Sequence, residues 1–277
     1  MKRTRSSLGG MLKYTLLVTV SVACVLPLLW QFRSSLMPMN DIFRIPMIIF
    51  PKSLEIKNYL DVFTLVPFGR YYLNTLLVVV VNIIGAFFSN TIIAYAFARL
   101  EFKGKKLMYA LCLGTMMLPA SVQLIPFFLE WNWFGGINTF LPLTVPAFFG
   151  NAFFIFMLVQ FFKTLPRDYD EAAFIDGASH PQIVFKVIVP LAKPALVCVA
   201  VFQFMNTWND FMGPLLFLND SKLYTLAIGL RSFISTLYTP WPVLMAAATL
   251  TVVPLIALFF MAQKSFIAGL TMGGLKG

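Results

Sequence analysis

The run Asn206-Thr207-Trp208-Asn209-Asp210-Phe211 lies midway to late in an otherwise apolar stretch, and its side chains are the least expected in the sequence. An ionised carboxylate at bilayer depth costs on the order of 3 kcal/mol on insertion scales, so Asp210 should face a cavity or a partner. The chemistry on offer is recognition rather than bond cleavage. Trp208 presents a stacking face, and Asn206, Asn209 and Asp210 present hydrogen-bonding groups, as a lining for a translocation path would. The competing reading is structural, with Asp210 near the outer interface or holding neighbouring helices together. Both stay open on sequence alone. Asn151, Gln160 and Gln203 pose the same alternative, while Asn82 and Asn90 are expected to bridge helices.

A second chemical cluster is acidic. Thr164 to Pro194 holds Asp168, Asp170, Glu171 and Asp176, four of the eleven acids, between two apolar segments. Such a stretch is expected as a water-exposed loop carrying a short helix. Pro166 suits a first turn, the acids at 168, 170 and 171 complement the positive end of the helix dipole, and Gly177 can end the helix. Helical spacing aligns Tyr169, Ala172, Ala173 and Asp176, with Glu171, Phe174, Ile175 and Ala178 on the neighbouring stripe. Small alanines beside a phenylalanine and a glutamate make a surface another protein could approach; the plainer alternative is an interfacial linking helix.

No pattern for covalent catalysis is present. Gly104-Lys105-Lys106 lacks the upstream glycine and the following hydroxyl of a phosphate loop, and His-Glu-x-x-His, Gly-x-Ser-x-Gly and CxxC motifs are absent. Cys24, Cys112 and Cys198 fall inside apolar segments as small packing residues, and His180 stands without companions at ligand spacing, so no metal site is expected.

The elements that must position these residues follow from composition. Hydrophobic residues make up 59% of 277 and charged residues 12%, about half the charged share of a soluble domain. Six continuous apolar segments, Leu12–Phe32, Tyr71–Ala98, Leu107–Leu129, Thr139–Phe161, Ala195–Leu218 and Pro242–Ala262, are each long enough to cross a bilayer as a helix. The expected fold is an all-α integral membrane protein of six transmembrane helices. Pro27, Pro119, Pro126, Pro146, Pro214 and Pro254 are expected to kink them. The first segment reads as a retained anchor rather than a cleaved signal.

Cations set the orientation. Inner segments would carry Lys2, Arg3, Arg5, Lys13, then Arg99, Lys103, Lys105, Lys106, then Lys163, Arg167, Lys186, Lys193, then Lys264 and Lys276, which is 14 of 21. That bias predicts both termini in the cytoplasm and places the Glu171 loop on the same side. The net charge of +10 therefore reads as topology and contact with membrane lipid, not nucleic-acid binding.

Glu171-Ala172-Ala173, three residues, Gly177, nine residues, then Val187-Ile188-Val189-Pro190 resembles the EAA loop of ABC-importer permeases, the binding-protein-dependent (MetI-like) family. Val187 and Val189 stand where that family has Ile and Leu, and Asp176-Gly177-Ala178 fits its usual DGA. Ala94 to Arg99 with Phe102 and Gly104, Leu118-Pro119 and Ile125-Pro126 are similar too, so the likeness runs from about Tyr71 to the end. It implies a division into residues 1–70, an anchor helix and outer loop, and 71–277, a MetI-like permease core. Within that core lie a cytoplasmic coupling loop at 164–194 and a C-terminal tail at 263–277.

The resemblance implies that Glu171, Ala172, Ala173, Phe174, Asp176 and Gly177 couple to a separate ATPase, which would hold the ATP and magnesium while this chain binds no cofactor and catalyses nothing. The stretch at 208–215 and the tail Gly269-Leu270-Thr271 to Lys276-Gly277 look like the maltose-type, carbohydrate-importing branch, whose tail reaches between ATPase subunits. In that branch the loop corresponding to Asn219–Trp241 contacts an extracytoplasmic solute-binding protein. The implied partners are a homologous second permease, a dimer of ATP-binding subunits and that binding protein, in a bacterial cytoplasmic (inner) membrane crossed several times. A non-sugar ABC permease, for polyamine or phosphate, and an ion-coupled secondary carrier are the alternatives.

Overall fold

The computed structural model describes residues 3–51, 53–235 and 238–273, with backbone only at 3–9 and 264–273. Those residues form helices and connecting turns with no strand among them, as continuous apolar runs without alternation require. They divide into two compact units: the chain up to Phe68 with Leu230–Pro254, and Gly69–Gly229 with the chain from Leu255 on.

The first unit begins with α1, Arg3–Ser35, whose apolar side chains from Met11 to Leu29 are exposed along nearly the whole helix. A helix apolar on all sides has no water-facing stripe and suits hydrocarbon. Its end is fastened by polar contacts. Asn58 Nδ2 donates to the carbonyls of Ser35 and Met37 at 2.9 and 3.1 Å, and Ser35 Oγ lies 2.7 Å from Tyr59 Oη. These contacts tie in α2, Lys57–Leu65, across the irregular segment that follows α1.

The second unit is built on α3, Phe68–Arg99. Tyr71, Thr75, Val78, Asn82, Ala86, Asn90, Ala94 and Ala98 are buried on it, every third or fourth residue along one face. Gly85 lies so close to a neighbour that an added Cβ would sit 2.9 Å from the Phe148 ring. Small residues on this face let the bundle approach the backbone, as membrane helix interfaces do. Against the C-terminal end of α3 packs a core formed with Phe154, Leu158 and Phe162 of α6 (Ala152–Thr164) and with Ile183, Val184 and Ile188.

Among the described residues, four helical stretches are long and apolar enough to cross a membrane, at residues 10–35, 68–99, 141–164 and 241–263. The other two expected crossings are not continuous helices. Lys105–Met117 meets Ala120–Trp133 at 101°, and His180–Leu191 meets Lys193–Trp208 at 86°, so the total reaches six only if each bent pair is one crossing. The first break falls at Leu118-Pro119, where proline withdraws an N–H and disfavours helical backbone at the residue before it. The break after α8, Lys193–Trp208, comes at Asn209 to Phe211, short of the Leu218 expected from hydropathy.

Candidate functional site

Two places collect the chemistry, and α3 runs through both. The first is α7, Asp168–Ile175. Its first turn holds Asp168, Asp170 and Glu171 as expected, while Pro166 lies just ahead of the helix. Its end is a Schellman turn: the Gly177 N–H donates to the Phe174 carbonyl at 3.0 Å and the Ala178 N–H to the Ala173 carbonyl at 2.9 Å. Gly177 takes φ +77° to make this turn, a region in which a side chain is strained.

Glu171, Ala172, Ile175, Asp176 and Gly177 are exposed, and Ile175 is 87% accessible. Phe174 is half exposed, its ring edge-on to His180 with centroids 4.9 Å apart. Ala173 instead turns partly into the core, so the free face is narrower than the sequence stripes suggest.

Asp170 departs from the expectation of a water-exposed acid. It is 6% exposed, with Oδ2 3.2 Å from Nε of Arg99 at the end of α3. This is a charge contact without an aligned hydrogen bond; the Arg99 guanidinium instead donates through Nη2 to the Leu165 carbonyl at 2.9 Å. His180, discounted as a ligand, has a positioning part: Nδ1 lies 3.2 Å from Oη of the buried Tyr95, also on α3. Two polar contacts thus pin the α7 segment to one helix.

The second place is a cavity of about 300 Å³ lined by Thr75, Asn82, Gln203, Asn206, Thr207, Asp210 and Thr225. That volume is at the lower end of ligand-sized pockets. Asn82 Nδ2 donates to the Leu143 carbonyl at 2.9 Å and to Thr207 Oγ1 at 3.2 Å, so this residue bridges helices as expected. Its Oδ1, and Oγ1 of Thr225, are buried with no hydrogen-bond partner among the described residues. Asp210 Oδ1 accepts the Gly213 N–H at 3.0 Å. A neighbouring cavity of about 360 Å³ shares Asn82, Gln203 and Asp210 and adds Asn90 and Asn151.

Not every polar residue of the run reaches the cavity. Trp208 is buried, stacked on Phe204 at 5.1 Å and edge-on to Tyr72 at 5.6 Å, so its faces are spent on packing. Asn209 turns back to the Met205 carbonyl at 2.8 Å. Asn151 caps α6 by accepting the Phe153 and Phe154 N–H groups, while its own N–H donates to Asn90 Oδ1 at 2.7 Å. Sequence reasoning undervalued Gln203, Thr207, Thr75 and Thr225. A signal existed: Gln203, Thr207 and Asp210 share one face at helical spacing, which excludes Trp208 and Asn209.

The chain's end also differs from expectation. α9, Trp241–Gly273, stays helical past Ala262, so Gly269, Leu270 and Thr271 lie on a helix; Lys276 and Gly277 lie outside the described residues. The loop 219–241 carries a short helix, Leu226–Arg231, and residues 236 and 237 are likewise outside the described set. The described residues hold no group of three metal-ligating side chains.

Residues 90–271 match the family described as binding-protein-dependent transport system inner membrane component. The arabinooligosaccharides transport system permease protein AraQ of Halalkalibacterium halodurans is 31% identical over 282 residues, covering 100% of both chains. The diacetylchitobiose uptake system permease protein NgcG of Streptomyces coelicolor is 33% identical, covering 95% of this chain and 87% of its own. The trehalose/maltose transport system permease protein MalG of Thermococcus litoralis is 30% identical, covering 94% of each. In fold the chain is similar to one from the crystal structure of a bacterial ABC transporter involved in the import of the acidic polysaccharide alginate. The TM-score is 0.85 at 23% identity, over 95% of this chain and 98% of that one.

Proposed function

The chain belongs to the binding-protein-dependent transport system inner membrane components, and from that premise we propose that it is the membrane-spanning subunit of an ATP-driven importer of a sugar or oligosaccharide. The solute arrives on an extracytoplasmic binding protein and leaves into the cytoplasm. A second, similar permease completes the path, and a pair of ATPase subunits holds the magnesium and ATP. The carbohydrate permeases among its relatives support the sugar; nothing observed favours the polyamine, phosphate or ion-coupled alternatives. The cation bias supports cytoplasmic termini.

The observation that carries this reading is the exposed acidic face of α7 on a rigid mount. Docked in an ATPase cleft, α7 would be displaced when the ATPase pair closes. The Arg99–Asp170 and Tyr95–His180 contacts pass that displacement to the inner end of α3. At 1.5 Å per residue, the same helix carries Asn82 about 25 Å further on, where it lines the polar cavity. A rigid shift of one element thus alters the cavity between two packings. The hydroxyls of a sugar suit the unpartnered acceptors of Asn82 and Thr225 and the carboxylate of Asp210. The C-terminal residues from Gly269 onward extend the ATPase contact.

Glu171→Lys tests the reading. Reversing the charge on the docking face should abolish ATP-driven uptake into vesicles while the membrane complex still assembles. Undiminished uptake would sink the coupling role.

A further inference from the structure

A cavity of about 850 Å³ lies where the turn after α3 meets the end of α6, and its chemistry differs from that of the solute cavity. Lys105, Lys106, Lys163 and Arg167 line it together with one carboxylate, Glu101. Lys105 is occupied locally, with Nζ 3.0 Å from Glu101 Oε1 and 2.7 Å from the Leu100 carbonyl. Lys106, Lys163 and Arg167 form no ion pair among the described residues, which leaves three uncompensated cations around one space. Two of the three also act on Glu101: the hydrogen bond and charge of Lys105, with the charges of Arg167 and Lys106, hold its carboxyl below its usual range.

Apolar groups continue from the basic rim. Leu107 lines the cavity and is 65% exposed, and Leu111, one turn along α4 (Lys105–Gly114), is 64% exposed. The Tyr109 ring stands 6.0 Å from Lys163 Nζ, in the manner of an interfacial aromatic. A soluble anion would need the cations but not the leucine lane. A partner protein offering acids would leave that lane in hydrocarbon unused. A ligand with a phosphate at one end and an acyl chain at the other uses both.

We infer that this cavity seats the headgroup of an anionic phospholipid of the phosphatidylglycerol kind, its phosphodiester on Lys106, Lys163 and Arg167 and an acyl chain along Leu107 and Leu111. Arg167 also supplies the carbonyl that accepts the Asp170 and Glu171 N–H groups, at 2.9 and 3.1 Å. An occupied headgroup site therefore steadies the first turn of α7. The placement in the cytoplasmic leaflet rests on the proposed reading of α7 as the ATPase-facing helix.

The test uses the whole importer containing this chain, purified into nanodiscs of phosphatidylglycerol or phosphatidylcholine, with bound lipid counted by native mass spectrometry. Phosphatidylglycerol should be retained on the chain and phosphatidylcholine released. The triple variant Lys106→Gln, Lys163→Gln, Arg167→Gln should weaken retention about 5-fold per charge and about 100-fold in all. A matched variant of three exposed cations outside the cavity, Lys13→Gln, Lys103→Gln and Lys186→Gln, should keep it. Equal loss in both variants, or equal retention of the two lipids, overturns the site. Displacement by inorganic phosphate alone would mark a soluble-anion pocket and overturn the lipid. Glu171→Lys, with the same importer reconstituted into sealed vesicles of the same two lipids for uptake, separates the two proposals. Uptake that still depends on Glu171 without lipid selectivity rejects the headgroup site alone. Uptake indifferent to Glu171 rejects the coupling role and leaves the lipid count standing.

Discussion

Asp170 and Asp210 are two acids drawn into the second unit in opposite ways. Asp170 is closed off by a cation, Arg99, 3.2 Å from its Oδ2. Asp210 has no cation at ion-pair distance among the described residues and is held by the Gly213 N–H, with the rest of its carboxylate on the polar cavity. A charge neutralised by its mirror image inside the chain is a fastening. A charge steadied only by the backbone amides of Met212 and Gly213 keeps hydrogen-bonding capacity for something that comes and goes. On the proposed function, the difference would separate transmission from recognition, with α3 joining the two.

The same substitution at each position should break the pair apart. Asp170→Asn leaves Arg99 buried without a counter-charge, and breaking a buried pair from one side costs about 3–5 kcal/mol. The complex should lose thermal stability by that order in a melting assay. Adding Arg99→Met to Asp170→Leu should recover most of it, since apolar groups of similar volume replace buried pairs at little cost. Asp210→Asn keeps the acceptor for Gly213 and strands no cation, so the loss should be about 1 kcal/mol. Its larger effect should fall on uptake, read as a raised half-saturation for solute. Equal destabilisation by the two asparagines would dissolve the distinction.

A smaller effect sharpens the Asp210 side. An alanine Cβ at position 213 would lie 2.5 Å from Asp210 Oδ2, closer than side-chain atoms tolerate. Gly213→Ala should therefore push the carboxylate off its seat at about 1–3 kcal/mol, the usual range for overpacking. Uptake by Gly213→Ala should fall along with Asp210→Asn. Loss of stability without change in uptake would assign Asp210 to holding helices together.

Much of this is legible in the sequence, and the gaps have physical causes. The apolar runs, the start of α7 at its acids and its end at Gly177 follow from local signals that act within a few residues. The buried state of Asp170 does not, because its partner Arg99 is distant in sequence and comes close only through folding. Prolines behave unevenly for the same reason: Pro119 marks a sharp break while Pro126 rides inside α5, Ala120–Trp133, and neighbouring helices decide between them. By residue type alone Trp208 offers a stacking face for solute. Phe204, four residues earlier on the same helix face, is the available sign that its ring is used internally.

The gentlest test lies on the Asp170 side, at the other glycine. Gly177 has φ +77°, and an added Cβ there would meet nothing within 4 Å, so alanine brings strain without collision. Gly177→Ala should cost about 1–2 kcal/mol through the left-handed backbone alone. Gly177→Asn should cost less, because asparagine tolerates that region better. Since the turn ends α7 on its exposed side, the cost should appear as fraying of 174–178, measurable as faster amide exchange there, with Asp170 and its neighbours still protected. Protection lost evenly from Asp168 to Ala178 would mean that the Arg99 fastening does not hold the first turn by itself. The contrast between a pinned acid and a steadied one would then extend to the whole helix rather than to one residue.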